Sequence, residues 1–311
     1  MTSSVDFLPG ADPLLRDVPL EHVVTLPILG LPTRFETNSH YVLHVIEEAF
    51  GVWRTTDVAL GASLGGVRVR IVVHAGGEGD VAPVPVRHLC PDATRLVVHS
   101  PGSVAVCDPE RRESIAYVTT ALAGDRALFR GAMLEAITLA LLAHFDRHPI
   151  HGAAIAANGR AVILAGPSGA GKSTLAYVAH HAGIDVLSED RVWVQLDPAL
   201  RLWGWPGGVR LLDDGASVES KSKHVVAIES RTLAADHATV CVLACGAVAS
   251  LERVSRDVIA ESLRIVDAGF DRFPERHEAV VRALSDEGGW RLTLSSDASD
   301  AVPLLEAMLG G

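Results

Sequence analysis

From Arg160 to Val192 the chain reads RAVILAGPSGAGKSTLAYVAHHAGIDVLSEDRV. An apolar run, Ala161–Ala165, leads into Gly166-Pro167-Ser168-Gly169-Ala170-Gly171-Lys172-Ser173, which matches the pattern G-x-x-x-x-G-K-S/T in full. The segment from Lys172 to Gly183 then has helical character. Strand, glycine-rich loop and helix in that order give each residue type a reason. Glycines let backbone N–H groups turn inward toward phosphate oxygens. The helix N-terminus adds partial positive charge. Lys172 is placed to reach the β- and γ-phosphates, and the hydroxyl of Ser173, beside Thr174, to hold Mg²⁺. A hydrolase elbow of the form G-x-S-x-G is excluded, because position 170 is Ala where that pattern needs Gly.

Phosphate loops serve switches, motors, transporters and kinases, so the rest of the site has to discriminate. Glu189-Asp190 follows the strand-like run Ile184–Leu187, and Asp190 lies 18 residues after Lys172. In a βαβ unit the second strand lies beside the first, and residues at its C-terminal end face the phosphate loop. A carboxylate there ligates Mg²⁺ or accepts a proton from an attacking hydroxyl. Ser-Glu-Asp is also ordinary solvated-turn chemistry. His151 opens the strand before the hairpin whose turn is Ala157-Asn158-Gly159, and that strand is expected to pair with Ala161–Ala165. Spacing alone leaves His151 open between a structural and a catalytic role.

The rest of the chain sets bounds. Its 311 residues suit two domains, and 48% hydrophobic with 21% charged residues is a globular composition. A net charge of −11 argues against a nucleic-acid partner. The four cysteines include no Cys-x-x-Cys pair, and Cys241 and Cys245, in the apolar run TVCVLACGAVASL, read as buried thiols. That run is shorter than the ~20 residues of a membrane helix. The N-terminal sequence MTSSVDFLPGADPLLRDVPL lacks the pattern of a signal peptide. The expectation is a reduced, cytoplasmic protein with no membrane partner.

Residues 1–125 read as a mixed α+β domain. They comprise strands around the Gly30-Leu31-Pro32 break, a helix over Ser39–Phe50 closed by Gly51, a strand Val67–His74, and a hairpin turning at Pro101-Gly102. No phosphate, metal or nucleophile motif falls there. A second block, 126–311, opens with a long helix from Arg126, apolar almost all round after Glu135. It continues through short β-like runs, Gly208–Asp214 and His224–Ser230, to a final helix at Ala301–Gly311.

His151-Gly152, GRAVILAGPSGAGKSTLA and GIDVLSEDRV together resemble the catalytic domain of HPr kinase/phosphorylase. That family has a His-Gly before a short hairpin, a loop G-x-S-G-x-G-K-S, and Asp-Asp-Arg-Val after the next strand. The resemblance is close over 151–192 and loose over the rest of 126–311. It implies a compact α/β phosphate-loop fold of the type shared with phosphoenolpyruvate carboxykinase, following an N-terminal mixed α+β domain. It implies transfer of the γ-phosphate of ATP to a serine hydroxyl, with His151 assisting near the phosphates. Glu189 and Asp190 take the places of the Asp pair, one as base and one near Mg²⁺. Asp190 keeps the residue type of its counterpart and is the expected base; Glu189 is one methylene longer and is the expected metal ligand beside Ser173. Homo-oligomers occur in that family. The family's acid before Ile-Arg-Gly-Leu-Gly is not kept; the nearest counterpart, WPGGVRLLDDGA, offers Arg210 without a preceding carboxylate. More loosely, the whole layout resembles the HPr-kinase-like proteins of peptide biosynthetic clusters, including kinases of lasso-peptide precursors. Three readings follow: a kinase for serine in a peptide or protein, a kinase for a small hydroxyl metabolite such as an amino acid, and a non-catalytic ATP sensor. The adjacent acids favour the first two, and the additional N-terminal domain, taken as a docking or assembly surface, favours the first.

Overall fold

The computed structural model describes residues 17–55, 65–75, 86–90, 95–205, 207–212, 223–228, 232–264 and 273–310. Most of the N-terminal segment read for a signal peptide and the stretch Asp213–Ala216 after Arg210 lie outside them. The protein is a mixed α/β chain that divides into two compact units, Met1–Leu142 and Ala143–Gly311.

In the first unit, strands β1 (His22–Ile28) and β2 (Leu31–Thr37) form a hairpin. Leu29 and Gly30 turn it with positive φ of 48° and 73°, the geometry that matches strand twist. Helix α1 (His40–Phe50) is capped by the Ser39 side chain, which accepts from Val42 N. Gly51 does not end it with a left-handed residue: at φ −61° it passes the chain into a tighter helical turn, Gly51–Thr55. There follow β3 (Val67–His74), β4 (Arg87–Leu89), β5 (Leu96–Ser100), β6 (Ser103–Asp108) and β7 (Glu113–Thr119). The seven strands make one sheet in the order β1-β2-β3-β7-β6-β5-β4. Alternation along β3, β5, β6 and β7 puts Val69, Ile71, Val98, Ala105, Ala116 and Val118 in the core. Phe35 of β2 stacks on Phe50 of α1 at 5.2 Å. Three short helices close the unit: α2 (Thr120–Gly124), α3 (Arg126–Leu128) and α4 (Ala136–Ala143). A wider-wound turn, Phe129–Glu135, joins α3 to α4, so the expected long helix is interrupted in its winding and ends at Ala143. Residues 126–142 therefore belong to the first compact unit.

The second unit runs β8 (His148–His151), β9 (Ala153–Ala157), β10 (Arg160–Ala165), α5 (Lys172–His181), β11 (Asp185–Ser188), β12 (Arg191–Gln195), β13 (Arg201–Trp203), β14 (Val209–Leu212), β15 (Lys223–Val226), β16 (Ala234–Ala235), β17 (His237–Cys245), β18 (Ser250–Val254), α6 (Arg256–Leu263), α7 (Pro274–Ser285), β19 (Gly289–Leu294) and α8 (Val302–Gly310). A six-stranded sheet has the order β11-β9-β10-β17-β19-β18, and β8 and β12 belong to a four-stranded sheet, β16-β13-β12-β8. The runs expected after Asp197 form the hairpin β14–β15. Alternate residues of β10 face opposite cores. Ala161, Ile163 and Ala165 meet Val192, Ile259 and Val281. Val162 and Leu164 meet Leu175, Ala176 and Leu305. Each core draws on both sheet and helices, which fixes the ends of the strands that carry the site.

Candidate functional site

Asn158 (φ 52°) and Gly159 (φ 76°) turn β9 into β10, as Asn-Gly between apolar runs predicts. β10 ends at Ala165, and residues 166–171 wrap from it to α5. Gly169 (φ 85°) and Gly171 (φ 93°) sit in the left-handed region that side chains rarely adopt, so the loop's tight turn needs glycine at these places. α5 closes with Gly183 (φ 91°), where Gly183 N donates to His180 O and Ile184 N to Ala179 O, the Schellman pattern.

Lys172, in the first turn of α5, is buried, and its Nζ donates to Gly166 O at 2.7 Å and Pro167 O at 3.0 Å. The ammonium is thus folded over the loop that precedes it. One residue on, Ser173 Oγ donates to Glu189 Oε1 at 2.6 Å. The chain that delivers Glu189 takes a different route from the one expected. β11 does not lie beside β10; β9 stands between them, antiparallel to both. β10 and β11 therefore run the same way, and their C-terminal ends share one edge. The carboxylate pair reaches the loop across one intervening strand.

Glu189 and Asp190 are bridged by Arg210 of β14, whose Nε donates to Glu189 Oε2 at 3.1 Å while its other nitrogen stands 2.9 Å from Asp190 Oδ2. Burial works against the guanidinium's charge, but the two carboxylates outweigh it and hold its pKa above the ordinary arginine value. The side chain of Glu189 is 11% exposed and that of Asp190 33%. Glu189 is committed to Ser173 and Arg210, and Asp190 has the more open face.

His151 differs from expectation in its strand. It ends β8 and pairs opposite Arg191 in the four-stranded sheet, rather than opening the strand paired with β10. The chain crosses between sheets at Gly152, where an added Cβ would stand 3.0 Å from Leu164 O. Gly152 N donates to Asp190 O at 3.0 Å. His151 Nδ1 lies 3.7 Å from Asp190 Oδ1, within ion-pair reach but beyond a hydrogen bond. The structure thus brings together Gly166–Thr174, Glu189, Asp190 and His151, and adds Arg210 as a shared partner of both acids. Arg210 carried no motif of its own; its signal was only its place in the stretch Trp205–Ala216.

Among the described residues, no three His, Cys, Asp or Glu side chains converge to hold a metal ion. Ser173 and Glu189 offer hard oxygen atoms of the kind Mg²⁺ takes. Cys241 is buried in β17, where desolvation pushes its thiol up to about 12, whereas Cys245 at the strand's end is exposed, contrary to the expected burial of both. No helix among the described residues is long and apolar enough to cross a membrane.

Fold and site together define an α/β protein with a glycine-rich loop between a strand and a helix, faced by an arginine-bridged carboxylate pair. No protein-family model matches the chain, and no curated protein matches it in sequence. Among solved structures, the Hpr(Ser) kinase/phosphatase from Coxiella burnetii is similar over 53% of this chain and 94% of its own, at a TM-score of 0.29 and 10% identity. That is a weak likeness.

Proposed function

We propose that the second unit is an ATP-dependent kinase that passes the γ-phosphoryl group to a serine hydroxyl of a peptide or protein. The observation that carries this reading is the 2.6 Å hydrogen bond from Ser173, in the first turn of α5, to Glu189, with Asp190 next in the chain. A hydroxyl at the head of the loop helix joined to a carboxylate from a neighbouring strand is the pair that holds Mg²⁺ in phosphate-loop enzymes. The donors fit that ion, which takes one or two carboxylates and completes its shell with water and phosphate oxygens. ATP·Mg²⁺ supplies the transferable phosphoryl group. The loop's N–H groups and the α5 N-terminus hold its phosphates, and Lys172 exchanges the Gly166 and Pro167 carbonyls for phosphate oxygens. Asp190 takes the proton of the acceptor hydroxyl as the new oxygen–phosphorus bond forms and ADP departs. Glu189 is less suited to that step because Ser173 already engages it and its side chain is 11% exposed against 33% for Asp190. Arg210 holds Asp190 from one side, and His151 Nδ1 stands 3.7 Å away on another.

Incubation with γ-labelled ATP, candidate peptides and free hydroxy amino acids tests this. Label should appear on a peptide or protein serine, and Lys172→Ala should lower transfer by about 10²–10³-fold or more in a folded protein. Near-normal transfer by the variant would sink the kinase reading. Transfer to free amino acids alone would make it a metabolite kinase, and tight ATP binding without transfer to any acceptor would make it a sensor.

A further inference from the structure

We infer that the turn from Cys245 to Ala249, together with the loop that begins at Ser295, forms the nucleobase site for the nucleotide whose phosphates lie on the glycine-rich loop. This rests on the proposed ATP-binding reading and extends it to the half of the ligand that the loop does not touch.

The first observation is an anomaly of exposure. Cys245, Gly246, Ala247 and Val248 are four consecutive exposed residues with no charged or strongly polar side chain. Val248, at 73% exposure, is the most exposed large hydrophobic residue among the described residues. Turns facing water are ordinarily polar, and a run of three or four exposed apolar residues marks a surface that something covers.

The second observation is where the turn stands. β17 runs parallel to β10, with Val242 opposite Ala165, and then continues through Leu243 and Ala244 to Cys245. Its end therefore rises beside the glycine-rich loop. β19 is parallel to β17, with Leu294 opposite Cys245. A Cβ at Gly171 would stand 3.1 Å from Leu294 Cδ1, which sets the end of β19 against the same loop. The two turns are one and two strands away from β10, about 5 and 10 Å.

The third observation is direction. Glu189, Asp190 and Arg210 gather on the β11 flank of the loop. If the γ-phosphate points to the acids, the nucleoside leaves on the other flank, toward β17 and β19. The β19 loop supplies a polar rim: Ser295 Oγ lies within hydrogen-bond reach of Asp297 O (2.8 Å) and of Asp300 Oδ2 (2.7 Å), and Asp297 accepts from Ser299 N at 2.9 Å. An apolar floor with polar groups at one edge suits a planar heterocycle.

The test compares ATP·Mg²⁺ with inorganic triphosphate·Mg²⁺ as ligands of the full chain. Wild type should bind ATP more tightly than triphosphate. Val248→Ser, which adds no charge near the phosphates and sits at a site too exposed to disturb the core, should weaken ATP by about tenfold and leave triphosphate unchanged. In a Cys90→Ser background, Cys245 is the one exposed thiol among the described residues. ATP should protect it from maleimide, and triphosphate should not. Equal weakening of both ligands, or no protection by ATP, overturns the inference. So does unchanged ATP affinity in a Val248→Ser protein that has lost self-association, which would assign the turn to an interface between copies. If wild type binds triphosphate but shows no preference for ATP, the base site falls and the phosphate loop stands. If wild type binds neither, the ATP reading falls with it.

Discussion

Glu189 and Asp190 are adjacent in the chain and share Arg210, but differ in their other partners. Glu189 accepts from Ser173 and from Arg210, whereas Asp190 has Arg210 on one side, His151 at 3.7 Å on another, and a third of its side chain open. That asymmetry predicts separable variants. If Glu189 holds Mg²⁺ as proposed, Glu189→Gln removes a charge from the ion's shell, so nucleotide affinity should fall by about tenfold in Mg²⁺ and change little in EDTA. If Asp190 is the proposed proton acceptor, ATP·Mg²⁺ should still bind to Asp190→Asn while turnover falls by about 10²–10⁴-fold. Titration calorimetry with and without Mg²⁺, beside single-turnover transfer, separates the two. If both variants bind and turn over normally, the pair is a surface turn. The glycine loop and the acids could be picked out from local spacing because each lies within a few residues of a strand end. Arg210 could not, since it stands 21 residues from Glu189 on a separate hairpin and only folding brings it to the acids.

At the scale of elements, β8 shows what local reading captures and what it misses. It carries His151 at its end and His148 at its start, and His148 Nε2 lies 3.1 Å from Nδ1 of His277 on α7. Burial, with the nearby charges of His277 and Arg276, lowers the pKa of His148 to about 4. The folded protein keeps this ring neutral, while the unfolded chain takes up a proton near the ordinary 6.5. Stability contributed by the neutral ring is therefore complete above pH 6.5 and lost as pH falls toward 4, by about 3 kcal/mol over that window. His148→Gln, which cannot protonate, should flatten that part of the melting-temperature profile. An unchanged slope in the variant would assign the acid sensitivity to other groups. The β9–β10 turn and the close of α5 follow from neighbouring residues, Asn158-Gly159 and Gly183, whose backbone needs are local. The placing of β9 between β10 and β11, and of β8 in another sheet, depends on pairings that no short-range pattern specifies. The exposure of Cys245 has the same origin: β17 outruns its neighbour β10, a property of the assembled sheet and not of the apolar run.

For the whole molecule, the division at Leu142/Ala143 sets the last prediction. Every residue assigned to phosphate handling lies in the second unit, while the first has its own sheet and core. A folded unit without such chemistry is most simply a surface that recognises the acceptor or assembles copies. We predict that it selects the acceptor. The place to cut is before Ala143 and not before Arg126, because Phe129, Met133, Leu134, Ile137 and Leu141 are buried and belong with the first unit. A fragment that kept them without that unit would expose an apolar helix to water. The fragment 143–311 should stay soluble, bind ATP·Mg²⁺ within about twofold of the full chain, and phosphorylate the acceptor at least about tenfold less efficiently, with the loss in KM more than in kcat. Equal efficiency in fragment and full chain would remove acceptor selection from the first unit. Loss of ATP binding along with acceptor phosphorylation would show instead that the second unit needs the first in order to fold.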